Sequence, residues 1–164
     1  MIYTKPFPLD IGRFSLERMV GISEDTGAGM VYSDYYAMKE GQLQPNPVID
    51  YQKGSLRDDF NFGSLLLFRT DAFNEAISRM DQQFDFAALY DLRLKISQNY
   101  NICRLPEYLY TEVETDHRKS GEKQFDYVDP KNRQVQREME RACTLHLKAI
   151  GGWLKPEFQS IGFK

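Results

Sequence analysis

The chain is poor in histidine and cysteine, carries no excess of positive charge and has no long hydrophobic run. Each shortage removes a class of function. Two histidines, His117 and His146, support neither zinc spacing nor a Ser/His/Asp set, and no glycine-rich phosphate loop appears. Cys103 and Cys143 are far apart without metal-ligand spacing, so they read as reduced thiols rather than a disulfide. No apolar stretch could span a bilayer, and the opening residues Met1 to Lys5 lack the hydrophobic run of a secretory signal. The expectation is a cytoplasmic protein without a membrane span. A net charge of −3 leaves no general attraction to nucleic acid or anionic lipid. Internal repeats and low-complexity tracts are missing as well.

What remains is the composition of a folded globule. At 164 residues, 41% hydrophobic and 13% aromatic, one domain with a sizeable core is the simplest reading. Pro6 and Pro8 keep the lead-in irregular. Ser15 is a candidate cap for a helix over 15–21, closed by Gly27 and Gly29. Residues 30–38 are aromatic and β-branched and read as a strand, followed by a turn at Glu40-Gly41 and a proline-limited edge over 43–51. The apolar run 63–68 reads as a strand buried on both faces. Thr70 is a candidate cap for a helix through Met80 with Phe73, Ala76, Ile77 and Met80 on one face.

A second helical pattern covers 86–98, and 101–114 is a strand region interrupted at Pro106. Residues 117–128 read as a loop. Asp129-Pro130 opens the clearest helix, with Val135, Met139, Ala142, Cys143, Leu145, His146 and Ile150 on its buried face. His146 there reads as a satisfied core residue, and Gly151-Gly152 ends the helix. Alternating strands and helices predict an α/β domain: a small mixed sheet flanked by helices, over 1–152, with an extended tail or linker at 153–164.

From Phe14 to Tyr110 the order of these pieces resembles the acceptor-side half of a family 2 glycosyltransferase. The resemblance rests on the 15–21 helix, Met30-Val31-Tyr32-Ser33-Asp34-Tyr35-Tyr36, Leu56-Arg57-Asp58-Asp59-Phe60-Asn61-Phe62-Gly63, Ser64-Leu65-Leu66-Leu67-Phe68-Arg69, Tyr90-Asp91-Leu92-Arg93-Leu94 and Leu105-Pro106-Glu107-Tyr108-Leu109-Tyr110. It implies a truncated GT-A domain, with Ile2-Tyr3-Thr4 as the stub of a later strand and the nucleotide-sugar half missing.

The chemistry of that family is not matched. A nucleotide-sugar transferase holds its diphosphate leaving group with a carboxylate-bound metal and activates the acceptor hydroxyl with a carboxylate base. Where the resemblance places an Asp-x-Asp, this chain has Tyr3-Thr4-Lys5-Pro6. Where it places the base, within Glu-Asp-Tyr-Asp-Leu, this chain has Ala88-Leu89-Tyr90-Asp91-Leu92. No metal site is therefore assigned, and manganese or magnesium would enter only in an active enzyme.

The remaining candidates each have two readings. Asp91, at the second acidic position, is a displaced base or a structural cap or salt-bridge partner. Asp58 and Asp59 are acceptor-side groups or a solvated turn with a local ion pair. Asp34 is a substrate contact or a strand-end residue hydrogen-bonding a loop. His117 and Arg118 belong to a basic loop near the diphosphate or to a plain charged loop. Three functions follow: a partial or non-catalytic transferase-like domain in polysaccharide or glycoconjugate synthesis, an active inverting transferase, and a protein–protein module with no sugar role. The corresponding partners are a second transferase domain or chain, a nucleotide sugar, and a second copy in a homodimer.

Overall fold

A ten-residue strand organises the sheet. In the computed structural model, which describes residues 1–113 and 130–157, this strand is β3 (Met30–Lys39), flanked in parallel by β6 (Ile102–Val113). The opposite edge of β3 is shared end to end. β5 (Leu65–Phe68) pairs antiparallel with Met30 and Val31, and β4 (Gln42–Asn46) pairs antiparallel with Tyr35 to Lys39. β1 (Ile2–Tyr3) lies antiparallel on β5, and β2 (Leu9–Ile11) lies antiparallel on β6. The sheet therefore runs β1-β5-β3-β6-β2, with β4 beside β3. Four helices accompany it among the described residues: α1 (Ser15–Thr26), α2 (Thr70–Ser78), α3 (Ala88–Asn99) and α4 (Pro130–Ala149). The expected mixed sheet with flanking helices is present.

Local chemistry explains these elements. The first six residues of β3 are buried, as its aromatic and apolar content requires. It turns back at Glu40 and Gly41, both at positive φ (51° and 76°), the pair of left-handed residues that a tight two-residue hairpin needs. Pro45 falls in β4, on the edge of the sheet, where its missing N–H is harmless. Pro106 does not break β6. Instead the register slips: Ser33 faces Leu105, Asp34 faces Tyr108 and Tyr35 faces Tyr110. The extra β6 residues form an irregular bulge that absorbs a proline without a donor.

The helices differ from expectation in their caps. α1 runs past Gly21 to Thr26 and closes on Gly27 in the left-handed region. Ser15 is not its cap. That place belongs to Phe14, and the Ser15 hydroxyl donates to the Leu109 carbonyl of β6 at 2.6 Å. Gly29 takes no part in closing the helix. Its N–H donates to Asn101 O at 3.0 Å. Thr70 likewise lies inside α2, behind Arg69, and gives no cap hydrogen bond. α2 buries Ala72 and Ala76 rather than Ile77, which is 47% exposed. Among the described side chains of α4 only Ala142 and His146 are buried, and Ile150 just beyond it is exposed. The core lies between the sheet and helices α1, α2 and α3 around Met19, Met30, Tyr32, Leu65, Leu92, Ile96 and Tyr110. Ala87, Tyr90, Leu94 and Ala142 form a second cluster where α4 meets α3.

Gly63 marks where this packing is tightest. It sits at φ +71°, its N–H donates to Asn61 Oδ1 at 2.9 Å, and a Cβ there would overlap the Tyr110 hydroxyl. That hydroxyl accepts the Ser64 N–H at 2.8 Å, so it cannot move aside freely. Gly63→Ala is expected to cost about 2 kcal/mol or more from left-handed strain plus overpacking. Urea denaturation checks this; unchanged stability would mean that residues 60–64 relax without penalty.

Candidate functional site

The parallel pairing of β3 and β6 sets Arg104 beside Asp34. Arg104 Nε donates to Asp34 Oδ1 at 2.9 Å and Nη2 donates to Oδ2 at 2.8 Å, the two-pronged match of guanidinium to carboxylate. Asp34 is 3% exposed and also accepts the Val48 N–H at 3.0 Å. Arg104 Nη1 reaches Asp50 at 3.3 Å, and the Tyr32 hydroxyl donates to Ile49 O at 2.7 Å. Donating to Asp34 raises the already high Arg104 pKa, so the guanidinium stays charged. Asp34 therefore fastens the loop start at 48–50 to the central strand pair.

A second arginine orders the rest of that loop. Arg93 on α3 is 3% exposed, and it has no ion-pair partner among the described residues. Its Nη1 donates to Ser55 O at 2.8 Å and its Nη2 to Arg57 O at 2.6 Å. The rings of Tyr90, Phe62 and Tyr51 surround it at 4.9, 5.7 and 5.8 Å. Carbonyls and ring faces thus do the solvating that a carboxylate would otherwise do. The Tyr90 hydroxyl donates to Leu56 O at 2.5 Å, so α3 grips three consecutive carbonyls. Burial pushes the Tyr90 pKa upward, with Cys143 as a further cause, which keeps that donor protonated.

This grip presents Asp58 and Asp59 on a turn rather than on a strand. Asp59 is taken up by Arg57 in a two-pronged pair at 2.9 and 3.1 Å, which lowers its pKa. Asp58 has no ion-pair partner among the described residues and lines a groove of about 500 Å³ between the turn and α4. Tyr90, Met139, Glu140 and Cys143 contribute to the same groove. Both cysteines are free thiols.

Leu89, at the base position, is 36% exposed on α3. Asp91 is 1% exposed, and its Oδ1 pairs with Lys95 one turn along the same helix. Asp91 Oδ2 has no hydrogen-bond partner among the described residues. Beside it α4 is seated. Glu138 Oε2 accepts the N–H groups of Phe86 at 2.8 Å and Ala87 at 3.2 Å, so a carboxylate from α4 holds the chain as it enters α3. Four residues on, Ala142 packs against Ala87, Tyr90 and Leu94. Four further, His146 Nδ1 lies 3.1 Å from Gln98 Nε2. The amide is the donor in that contact, which assigns the imidazole proton to Nε2. Burial, then Arg93 and Lys95, lowers the His146 pKa. His117 and Arg118 lie outside the described residues.

One group escaped sequence reasoning. Lys5, at the place of the metal motif, is ion-paired with Glu112 of β6, which is 1% exposed. Tyr35 and Tyr110 stack beside the pair, with centroids 5.4 Å apart, and Lys5 Nζ lies 5.9 Å from the Tyr35 ring. Burial pushes the Tyr110 pKa up to about 12. Glu112 Oε1 has no partner among the described residues. Nothing in Tyr-Thr-Glu-Val announces a buried glutamate, because its partner is 107 residues away. Among the described residues, no set of three His, Cys, Asp or Glu side chains is placed to hold a metal ion. No described helix is long and apolar enough to cross a membrane.

Asp34→Ala should destabilise the domain by about 2 kcal/mol, since it leaves the half-buried Arg104 only the exposed Asp50 and leaves the Val48 N–H without its acceptor. Chemical denaturation measures this, and a loss below about 1 kcal/mol would mean that Arg104 finds water easily. Arg93→Met keeps an apolar stem but removes both carbonyl contacts. It should make residues 52–58 the first site of limited proteolysis, whereas an unchanged cleavage pattern would show that Tyr90 alone holds the turn.

No protein-family model matches the chain, and comparison with curated proteins returned no match.

Proposed function

We propose that this chain is the acceptor-side half of a GT-A-like, family 2 glycosyltransferase domain, working as a partial or non-catalytic module in polysaccharide or glycoconjugate synthesis. The observation that carries the reading is the Lys5–Glu112 pair at the place of the metal motif. An ammonium there opposes a divalent cation, and the buried Glu112 carboxylate is bound to it through one oxygen. The other carboxylates support the same view. Asp34 is committed to Arg104 and Val48, Asp59 to Arg57, and Asp91 to Lys95, while the base position is Leu89.

The sheet suggests how such a module would be completed. Among the described residues β1 pairs only with β5, so no described strand lies on its outer edge. A nucleotide-binding half, from the same polypeptide or from a partner chain, would extend the sheet from that edge by strand addition.

One observation favours an active inverting enzyme. Asp58 faces the groove without an ion-pair partner among the described residues, and an acceptor hydroxyl placed there would find a carboxylate base. In that case manganese or magnesium would serve the nucleotide diphosphate.

Calorimetric titration with a panel of nucleotide sugars, with and without manganese, separates the two. The proposal expects no saturable binding by this chain alone. Saturable binding that disappears in Asp58→Asn would replace it with the active reading.

A further inference from the structure

We propose that α4 is an acid-released latch on α3, held by Glu138, Ala142 and His146 and freed when His146 takes up a proton. This rests on the seating of α4 and not on the sugar reading. The three residues are four apart and so share one helical face. They meet α3 in order along its length: Glu138 at the N–H groups of Phe86 and Ala87, Ala142 at Ala87, Tyr90 and Leu94, His146 at Gln98. The two polar rungs are the titratable ones.

The charges around His146 make protonation costly while α4 is docked. Its Nδ1 is occupied as an acceptor, so a proton added there removes the Gln98 hydrogen bond. His146 is 7% exposed. From α3 it feels the cations of Arg93 and Lys95, against the single carboxylate of Asp91, which Lys95 already engages. Burial and those cations lower its pKa below the ordinary 6.5. The Glu138 pKa is also lowered, first by the Phe86 N–H; Ala87 N–H and Gln134 contribute, as does the backbone at Asp85.

The signs agree. A histidine whose pKa is lower when docked is protonated first in the undocked state. Its contribution to docking is complete above about pH 6.5 and declines as pH falls below that value. Glu138 adds a second loss at lower pH, where its carboxylate is neutralised and the Phe86 and Ala87 N–H groups lose their charged acceptor. Release would remove the α4 wall of the groove, including Met139 and Cys143. It would also uncover Tyr90 and Leu94 on the helix that carries Asp91.

Amide hydrogen exchange of the full chain at about pH 7.5 and about pH 5.5, scaled for intrinsic exchange rates, tests the latch. The latch predicts that α4 loses protection relative to β3 and β6 at the lower pH. His146→Gln, which still offers Gln98 an acceptor, should abolish that difference. Equal protection of α4 at both pH values, or the same loss in His146→Gln, overturns the proposal. If His146→Gln does not fold, NMR titration of the His146 ring in a His117→Gln background decides. A midpoint below 6.5 supports the latch, and one at or above 6.5 overturns it.

Discussion

The paired charges of Asp34 and Arg104 are the constraint on which the rest of the site depends. They couple neighbouring parallel strands and hold Val48 and Asp50 at the start of the long loop. With that start fixed, the loop must run past Tyr32 toward α3, where Phe60 and Phe62 pack against Tyr32 and Tyr51. Arg93 then needs only to reach two carbonyls to finish it. A buried ion pair is weak evidence of stability in itself, but removing one partner leaves a charge without solvent. Its role here is to specify one loop path among many.

That arrangement has a consequence for chemistry. A carboxylate that works as a base or a metal ligand must keep lone pairs available. Most acidic side chains near the sheet give theirs to the fold. Asp34 serves the loop, Asp91 serves Lys95 and Glu138 serves α3. Glu112 is bound to Lys5 through one oxygen, and its other buried oxygen has no partner among the described residues. Asp58 differs in having no ion-pair partner among the described residues, because its loop is held by backbone carbonyls rather than by its side chain.

Much of the fold was legible in the sequence. Residues 30–38 and 63–68 read as strands because β-branched, aromatic and apolar runs bounded by turn residues have few alternatives. Gly27 and Glu40-Gly41 read correctly because positive φ is a local demand. Caps were less legible. Ser15 and Thr70 are good N-cap types, but long-range demands prevailed: Ser15 bonds Leu109, 94 residues away, and the chain entering α3 is held by Glu138. The exposure of Ile77 and Ile150 shows that helical spacing names a face without saying how much of it another element covers.

The candidate residues divide along the same line. Local pairings such as Arg57 with Asp59 and Asp91 with Lys95 follow from spacings of two and four. Asp34 with Arg104 and Lys5 with Glu112 depend on sheet order, which no spacing encodes. The most direct test is therefore a double-mutant cycle in urea on Asp34→Asn and Arg104→Met. The account predicts a coupling of at least about 1.5 kcal/mol, with the double variant more stable than the sum of single losses implies. Additive losses would contradict it, because Asp34 would then not owe its place in the fold to Arg104.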